Sequence, residues 1–167
     1  SNNEIPSGHL GMYVGPRGDL SSGKLYALKV TSSGIDYEMD MVEGTDYDVE
    51  FIEVSEREKD ALDTECKEKG AIGFSRVEDI DWRRGSSANN REVYFVATGR
   101  KKEGLVGKGT LYGRIYKLTM NQDDPTKAGK LTCILDGDRD GGIADMFHSP
   151  DNITVTSNYA YIQEDPN

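Results

Sequence analysis

Short strand-like runs separated by turns rich in Gly, Asp and Pro recur along most of this sequence, and they limit the folds open to it. The runs are "GKLYALKV", "YDVEFIEV", "EVYFVAT", "LYGRIYKLT" and "KLTCIL", followed by "NITVT" and "YAYIQ" near the end. Runs of this kind at spacings of roughly ten to twenty residues predict an antiparallel all-β protein. A sandwich, a barrel and a propeller all fit this pattern, and the last two runs predict a hairpin.

Two of the strand-like runs share a core that favours one of these architectures. "GKLYALKV" and "GRIYKLT" both contain Gly, a basic residue, Leu or Ile, and then Tyr. Recurrence of one strand position is typical of repeated propeller blades. The sequence therefore predicts a partial β-propeller with antiparallel blades.

One segment interrupts the strands and predicts a helix near residues 56–69. Ser55 followed by Glu58 has the spacing of a capping box, and Gly70 is a typical helix stop. The apolar stripe is narrow, with Ala61 and Leu62 at its centre. We therefore expect a surface helix inserted between strands.

The charge of the chain excludes some partners and suits others. Thirty Asp and Glu against twenty Lys and Arg give a formal net charge of -10. This balance argues against nucleic acid or an anionic membrane as a partner, and it suits divalent cations, which prefer oxygen ligands. No run of apolar residues is long enough for a membrane span. Most of the acidic residues are expected to form a solubilising surface.

The sequence gives little indication of a zinc site or of a catalytic site that uses cysteine or histidine. Cys66 and Cys133 lie far apart without a CxxC pair, so the sequence does not predict a zinc site and leaves open one disulfide or two buried thiols. His9 and His148 are expected at the surface. The sequence contains no G-x-S-x-G, P-loop or G-x-G-x-x-G motif.

The stretch "DGDRDGG" is the first candidate metal site. Asp136, Asp138 and Asp140, followed by Gly141, match the opening of a calcium loop, in which alternate carboxylates converge on one cation. The position where such a loop carries a bidentate Glu is Phe147 here. The sequence thus leaves two alternatives, a calcium site and a plain acidic turn between strands.

Two further segments end in carboxylates. "GFSRVEDIDW" places Glu78 and Asp79 in a largely apolar setting, and "YIQED" ends on Glu164 and Asp165. A buried carboxylate needs a cation or an ion-pair partner, and Arg76 is the nearest candidate for an ion pair. The alternative is that the two acidic ends meet around a metal ion.

The order of several segments resembles the PhoX-type alkaline phosphatase family, calcium-dependent secreted phosphatases built on a β-propeller. The segments are "HLGMYVGPRGDLSSGKLYALKV", "GAIGFSRVEDIDW", "REVYFVATGR", "GRIYKL" and "SPDNITVTSNYAYIQEDPN". The most specific motifs are R-x-E-D at 76–79, P-D-N at 150–152 and Q-E-D at 163–165.

The resemblance implies a phosphomonoesterase that acts on small phosphate esters, is secreted or periplasmic, and carries its active site on the propeller axis. It implies calcium, with iron as a second metal, and places Glu78 and Glu164 where the family has metal-binding carboxylates. Clustered cations would neutralise a phosphate ester and activate an attacking oxygen. Together with the calcium-loop hypothesis, the predicted metal ligands are Glu78, Glu164, Asp136, Asp138 and Asp140.

The extent of the resemblance shapes the domain prediction. Enzymes of this family are longer than this sequence, so residues 1–167 are expected to form a single partial propeller domain, the middle blades of a longer chain. Neither cysteine aligns with the family's cysteine ligand, and open sheet edges are expected to be covered by other chains. The alternatives are a noncatalytic propeller-derived binding or structural subunit with structural calcium, and an inactive metal-binding propeller of the sugar-lactonase kind.

Overall fold

A computed structural model describes residues 4–145 and 147–165, and it contains nine strands and one α-helix within those ranges. The strands are β1 (Gly11–Val14), β2 (Lys24–Val30), β3 (Asp46–Val54), β4 (Val77–Trp82), β5 (Glu92–Ala97), β6 (Arg114–Thr119), β7 (Gly129–Asp136), β8 (Pro150–Val155) and β9 (Ala160–Glu164), and the helix is α1 (Lys59–Glu68). In the described part of the chain, no helix has the length and apolar character needed to cross a membrane.

Seven strands form one continuous antiparallel sheet in the order β1-β2-β3-β7-β6-β5-β4, and β8 pairs with β9 in a separate hairpin. Neighbouring strands are consecutive in sequence except where β3 pairs with β7, which joins the two halves of the sheet. The predicted all-β class, antiparallel pairing and closing hairpin are confirmed. The curled sheet is consistent with a partial propeller.

The main core covers one face of the sheet and is built around three aromatic rings. Phe74, Phe95 and Tyr116 lie with ring centroids 5.0 Å apart in each pair, and each is fully buried. Aromatic pairs contribute about 0.5–1.5 kcal/mol each beyond the area they bury. Because Phe74 belongs to this trio, the chain is rigidly placed just before Ser75, where the candidate site begins.

The helix covers the opposite face of the sheet. Cys66 and Leu62 of α1 pack with Ala27 of β2 and Val54 of β3 in a second cluster. This cluster accounts for the apolar residues on both faces of β2, and it confirms the prediction of one surface helix.

The start of the helix differs from the sequence prediction. The carboxylate of Glu58 is the N-cap and accepts the amide N–H of Asp60 at 3.0 Å. The Ser55 amide and hydroxyl instead donate to Glu65. The predicted capping box of Ser55 and Glu58 is therefore wrong, because Glu65 reaches back from the helix and holds Ser55 outside it.

The hairpin packs on β5 and β6 and is tied to β4 by side chains. Ile153 and Val155 belong to a separate core cluster with Val96 and Ile115. The Ile153 amide donates to Asp79 at 2.9 Å, and the Val155 amide donates to Asp81 at 2.7 Å. These two aspartates satisfy the backbone of β8 in place of a neighbouring strand.

Both cysteines are free and buried, which settles the choice between a disulfide and two thiols. Cys66 lies under the helix and Cys133 in the main core. Burial raises the pKa of the Cys133 thiol to about 12.

Candidate functional site

The backbone at Arg76 has a conformation that L-residues rarely adopt. Arg76 lies immediately before β4 with φ 63°, and Ser149, with φ 48°, is the other such non-glycine residue in the described chain. This left-handed region costs a non-glycine residue roughly 1–2 kcal/mol. Hydrogen bonds hold it in place, from the Thr98 amide to the Arg76 carbonyl and from the Gly99 amide to the Ser75 carbonyl, each at 2.9 Å. Strain maintained in this way is typical of functional sites.

A cleft of about 530 Å³ opens beside Arg76, between β4 and the N-terminal segment. Gly8 and Phe74 exchange two backbone hydrogen bonds of 3.1 and 2.8 Å, which fix this segment against the chain leading into β4. Gly73 allows the close approach, since a Cβ there would lie 1.9 Å from the carbonyl oxygen of Pro6. We call it the basic cleft, because its lining includes the cations Lys67, Arg76, Arg100 and Lys102.

The cations of the basic cleft are only partly neutralised. Arg76 pairs with Glu78 at 3.0 Å, and Lys102 pairs with Glu4 at 2.5 Å, which lowers the pKa of Glu4. Lys67 pairs with Asp63 at 2.5 Å, whereas Arg100 forms no ion pair with a residue that the structure describes, although its charge also lowers the pKa of Glu4. The cleft therefore carries an excess of positive charge, although the chain as a whole is acidic. Such a surface attracts anions, and guanidinium groups suit phosphate oxygens.

A buried carboxylate lies beneath the cleft. Glu38 is fully buried, and its Oε2 accepts the amide N–H groups of Ser75 at 2.9 Å and Thr110 at 3.0 Å. The Tyr116 hydroxyl donates to Oε1 at 3.0 Å. Burial raises the pKa of Glu38 to about 7, although these hydrogen bonds act in the opposite direction.

The first aspartate of the predicted calcium loop pairs with an arginine. Arg114 donates to both carboxylate oxygens of Asp136, from Nε at 3.0 Å and from Nη2 at 2.6 Å. Both residues are buried, and the same guanidinium donates to the carbonyl oxygens of Glu38 and Met41. Asp136 thus has a structural role in joining β6 to β7.

The other two aspartates of this loop diverge. Asp138 accepts the Leu111 amide N–H at 2.9 Å and the hydroxyl of Thr110, so it fixes the turn before β6. Asp140 is exposed to solvent. The carboxylates of this loop are therefore used by the protein itself or directed to solvent.

The hairpin brings two of the motifs together. Pro150 pairs with Glu164 and Asn152 with Gln163, and the His148 amide donates to Oε1 of Glu164 at 2.6 Å. A recess of about 560 Å³ lies beside them, lined by Asp151, Asn152, Gln163, Glu164 and Asp165. Glu78 is not among the residues that line this recess.

Within the ranges 4–145 and 147–165, no three His, Cys, Asp or Glu side chains are grouped so that they could hold a metal ion. Glu78 is paired with Arg76, and Asp136 with Arg114. These residues therefore do not form a complete cation site by themselves. The assignment of Glu78, Glu164, Asp136, Asp138 and Asp140 as ligands stays a prediction.

Reasoning from the sequence missed Glu38, and it missed the cations Arg100 and Lys102 that line the cleft together with Arg76. The turn "RKK" at 100–102 was a signal for the cleft, since Arg100 and Lys102 alternate toward it. No local pattern marks Glu38, which lies in a short polar 3₁₀ turn.

These features define an all-β protein with an anion-compatible cleft at the start of an R-x-E-D strand. The family model for alkaline phosphatase PhoX matches residues 16–167, and the chain belongs to this family. The resemblance drawn from the sequence is thereby confirmed. No curated protein and no solved structure matched the chain.

Proposed function

We propose that this chain takes part in the hydrolysis of phosphate monoesters and that the basic cleft binds the phosphate group. The observation that carries the proposal is the position of Arg76. It belongs to the R-x-E-D motif of a phosphatase family, has a strained backbone, and lines a cleft with Arg100 and Lys102. A family match and a local excess of positive charge thus point to the same residue.

The cleft suits a phosphate dianion chemically. The Arg76 guanidinium can donate two parallel N–H groups to two phosphate oxygens, and Arg100 and Lys102 supply further charge. Because the Arg76–Glu78 pair has side chains 45% and 37% exposed, a phosphate can replace Glu78 as the partner of Arg76 at a small cost. Positioned donors of this kind also stabilise charge that develops on the transferring phosphoryl group.

Calcium, with iron as a second candidate, is the metal of this proposal. Such cations supply charge neutralisation and an activated oxygen when bound. Glu78 and Glu164 are the proposed carboxylate ligands, since both are exposed at strand ends in family motifs. The described residues form no complete cation site, so this proposal takes the remaining ligands from outside them.

Hydrolysis of p-nitrophenyl phosphate by the full-length natural protein, with and without EGTA, tests the proposal. We expect EGTA to abolish activity and Glu78→Gln and Glu164→Gln to lower kcat/KM by about 100-fold. Glu68→Gln, an exposed glutamate on α1, is the matched control and should retain activity. Unchanged activity in both variants would remove the two glutamates from the metal site, and no hydrolysis by the unmodified protein would overturn the enzymatic function.

The second candidate is a noncatalytic binding or structural subunit. It is favoured by the edge strands β1 and β9, which other chains could cover. Phosphate binding without hydrolysis in the full-length protein would support this candidate over the enzyme.

A further inference from the structure

The Glu38 carboxylate occupies a position where burial of a polar group costs folding free energy. It is fully buried beneath the basic cleft, and burying a carboxylate costs several kcal/mol unless hydrogen bonds compensate. The fold supplies three such bonds, from two backbone amides and a tyrosine hydroxyl. An apolar side chain of similar size would leave these three buried donors without an acceptor, so the carboxylate fixes the backbone of its neighbours as well as filling space.

The bonds of Glu38 join the two segments that carry the arginines of the cleft. Its Oε2 accepts the amide of Ser75, which immediately precedes Arg76. The same oxygen accepts the amide of Thr110, whose carbonyl accepts the Arg100 amide at 3.0 Å. One carboxylate oxygen thus fixes the spacing between the backbones of the two segments.

The strained backbone of Arg76 depends on the same contacts. A positive φ persists only where the surroundings impose it. The Ser75 amide is held by Glu38 on one side of Arg76, and the Arg76 carbonyl is held by Thr98 on the other. Loss of the first anchor would let the segment relax and change the direction of the Arg76 side chain.

The structure assigns to Glu38 the role of a positioning residue, which orients Arg76 and Arg100 for an anion in the basic cleft through the Ser75 and Thr110 amides. This inference rests on the proposed function, since that function makes the cleft the phosphate site. Glu38 itself does not line the cleft. It acts through the backbone of its neighbours and is not a catalytic residue.

The role does not require a negative charge on Glu38. Tyr116 and Arg114 face it from β6, and Cys133 lies nearby on β7. In a neutral carboxyl, the proton can sit on Oε1 and be donated to the Tyr116 hydroxyl, while Oε2 still accepts both amides. A glutamine offers the same pattern, with its carbonyl oxygen toward Ser75 and Thr110 and its NH₂ group toward Tyr116.

The test compares Glu38→Gln with Glu38→Ala in the full-length protein. Titration calorimetry with inorganic phosphate gives Kd, and p-nitrophenyl phosphate hydrolysis gives KM and kcat. We expect Glu38→Ala to raise Kd and KM about tenfold or more, because displaced positioning groups lose their alignment, and Glu38→Gln to stay close to the unmodified protein. A merely structural role would reduce the folded fraction in Glu38→Ala without changing Kd or KM of the folded molecules, and that result would overturn the inference.

A second variant covers the case in which Glu38→Ala does not fold. Glu38→Asp keeps the carboxylate but is one methylene shorter, so it cannot reach both amides. We expect weaker phosphate binding and faster hydrogen exchange at the Ser75 or Thr110 amide in Glu38→Asp. Unchanged Kd together with faster exchange at either amide would refute the positioning role.

The outcomes also separate this inference from the proposed function. Phosphate binding that depends on Glu38 without any hydrolysis would support the positioning role and reject the enzyme. Hydrolysis that is indifferent to Glu38→Ala and Glu38→Asp would support the enzyme and reject the positioning role.

Discussion

Two short segments of this protein combine arginine with carboxylates, and they use them in opposite ways. At the Asp136–Asp140 loop, the side chains of Arg114 and Asp136 are 3% and 9% exposed, and the guanidinium donates to both carboxylate oxygens. At the start of β4, Arg76 and Glu78 share one contact and have side chains 45% and 37% exposed. The same chemical pair is thus locked in the core in one place and open to exchange at a cleft in the other. Burial of the pair, more than its residue types, separates the structural role of Arg114 and Asp136 from the binding role proposed for Arg76.

The largest expected effect breaks the buried pair. Asp136→Ala leaves the Arg114 guanidinium uncompensated in the core, and removing one partner of a buried pair costs about 3–5 kcal/mol of unfolding free energy. Urea denaturation measures this loss. Asp140→Ala, at an exposed position of the same loop, should change stability by no more than about 0.5 kcal/mol. A loss that appears only when calcium is present would show that Asp136 binds a cation.

The next effect concerns the pH dependence of stability at Glu38. Its folded pKa is raised from 4.5 to about 7, so the folded protein binds the proton more tightly than the unfolded chain does. The stabilisation that comes from this tighter proton binding is therefore fully present below about pH 4.5 and is lost as the pH rises to about 7. We expect the unfolding free energy of the unmodified protein to fall by about 3 kcal/mol relative to Glu38→Gln across this window. If the difference in unfolding free energy between the two proteins did not change with pH, the raised pKa of Glu38 would be contradicted.

A third prediction concerns the strained backbone of Arg76. Arg76→Gly and Arg76→Ala both remove the guanidinium, but only glycine adopts φ 63° without strain. We expect the Gly variant to be more stable than the Ala variant by about 1 kcal/mol in urea denaturation, and both to lose phosphate affinity. Equal stability would indicate that the positive φ stores no strain.

The smallest effect is expected at Ser75. Its hydroxyl is buried in the wall of the basic cleft and has no hydrogen-bond partner among the described residues. If a bound phosphate supplies that partner, Ser75→Ala should raise the Kd for inorganic phosphate by roughly threefold to tenfold, as expected for one hydrogen bond. Unfolding free energy measured without phosphate should not fall. Unchanged affinity with increased stability would mean that the hydroxyl is merely unsatisfied.

Much of the fold was predictable because its determinants are local. Alternating apolar residues indicated β3 and the closing hairpin, and the stop at Gly70 and a narrow apolar stripe indicated the helix. Strand β4 was predicted only as a carboxylate-bearing strand end, without its bounds, because Asp79 and Asp81 replace the apolar residues expected on one face. The two aspartates accept hydrogen bonds from backbone amides of β8, which lie 74 positions further along the chain. A local sequence pattern cannot predict such contacts.

The candidate site was predictable only in part for the same reason. The family motif identified Arg76 and Glu78, whereas the cleft forms where α1, the start of β4 and the 100–102 turn meet the N-terminal segment. The D-x-D-x-D-G spacing indicated calcium, but the loop also contacts Arg114, which the spacing cannot reveal. Glu38 is set by contacts with three distant segments, so its role emerges only from the folded chain.

The most direct test of the account is calorimetric titration of inorganic phosphate into the full-length protein and three matched variants. Arg76→Ala and Arg100→Ala remove cations that line the basic cleft, and Lys101→Ala removes a neighbouring exposed cation that does not line it. The account predicts that the two arginine variants raise Kd about tenfold or more and that Lys101→Ala stays within about twofold of the unmodified protein. Equal affinities in all four proteins, or an equal loss in Lys101→Ala, would contradict the claim that this cleft binds phosphate.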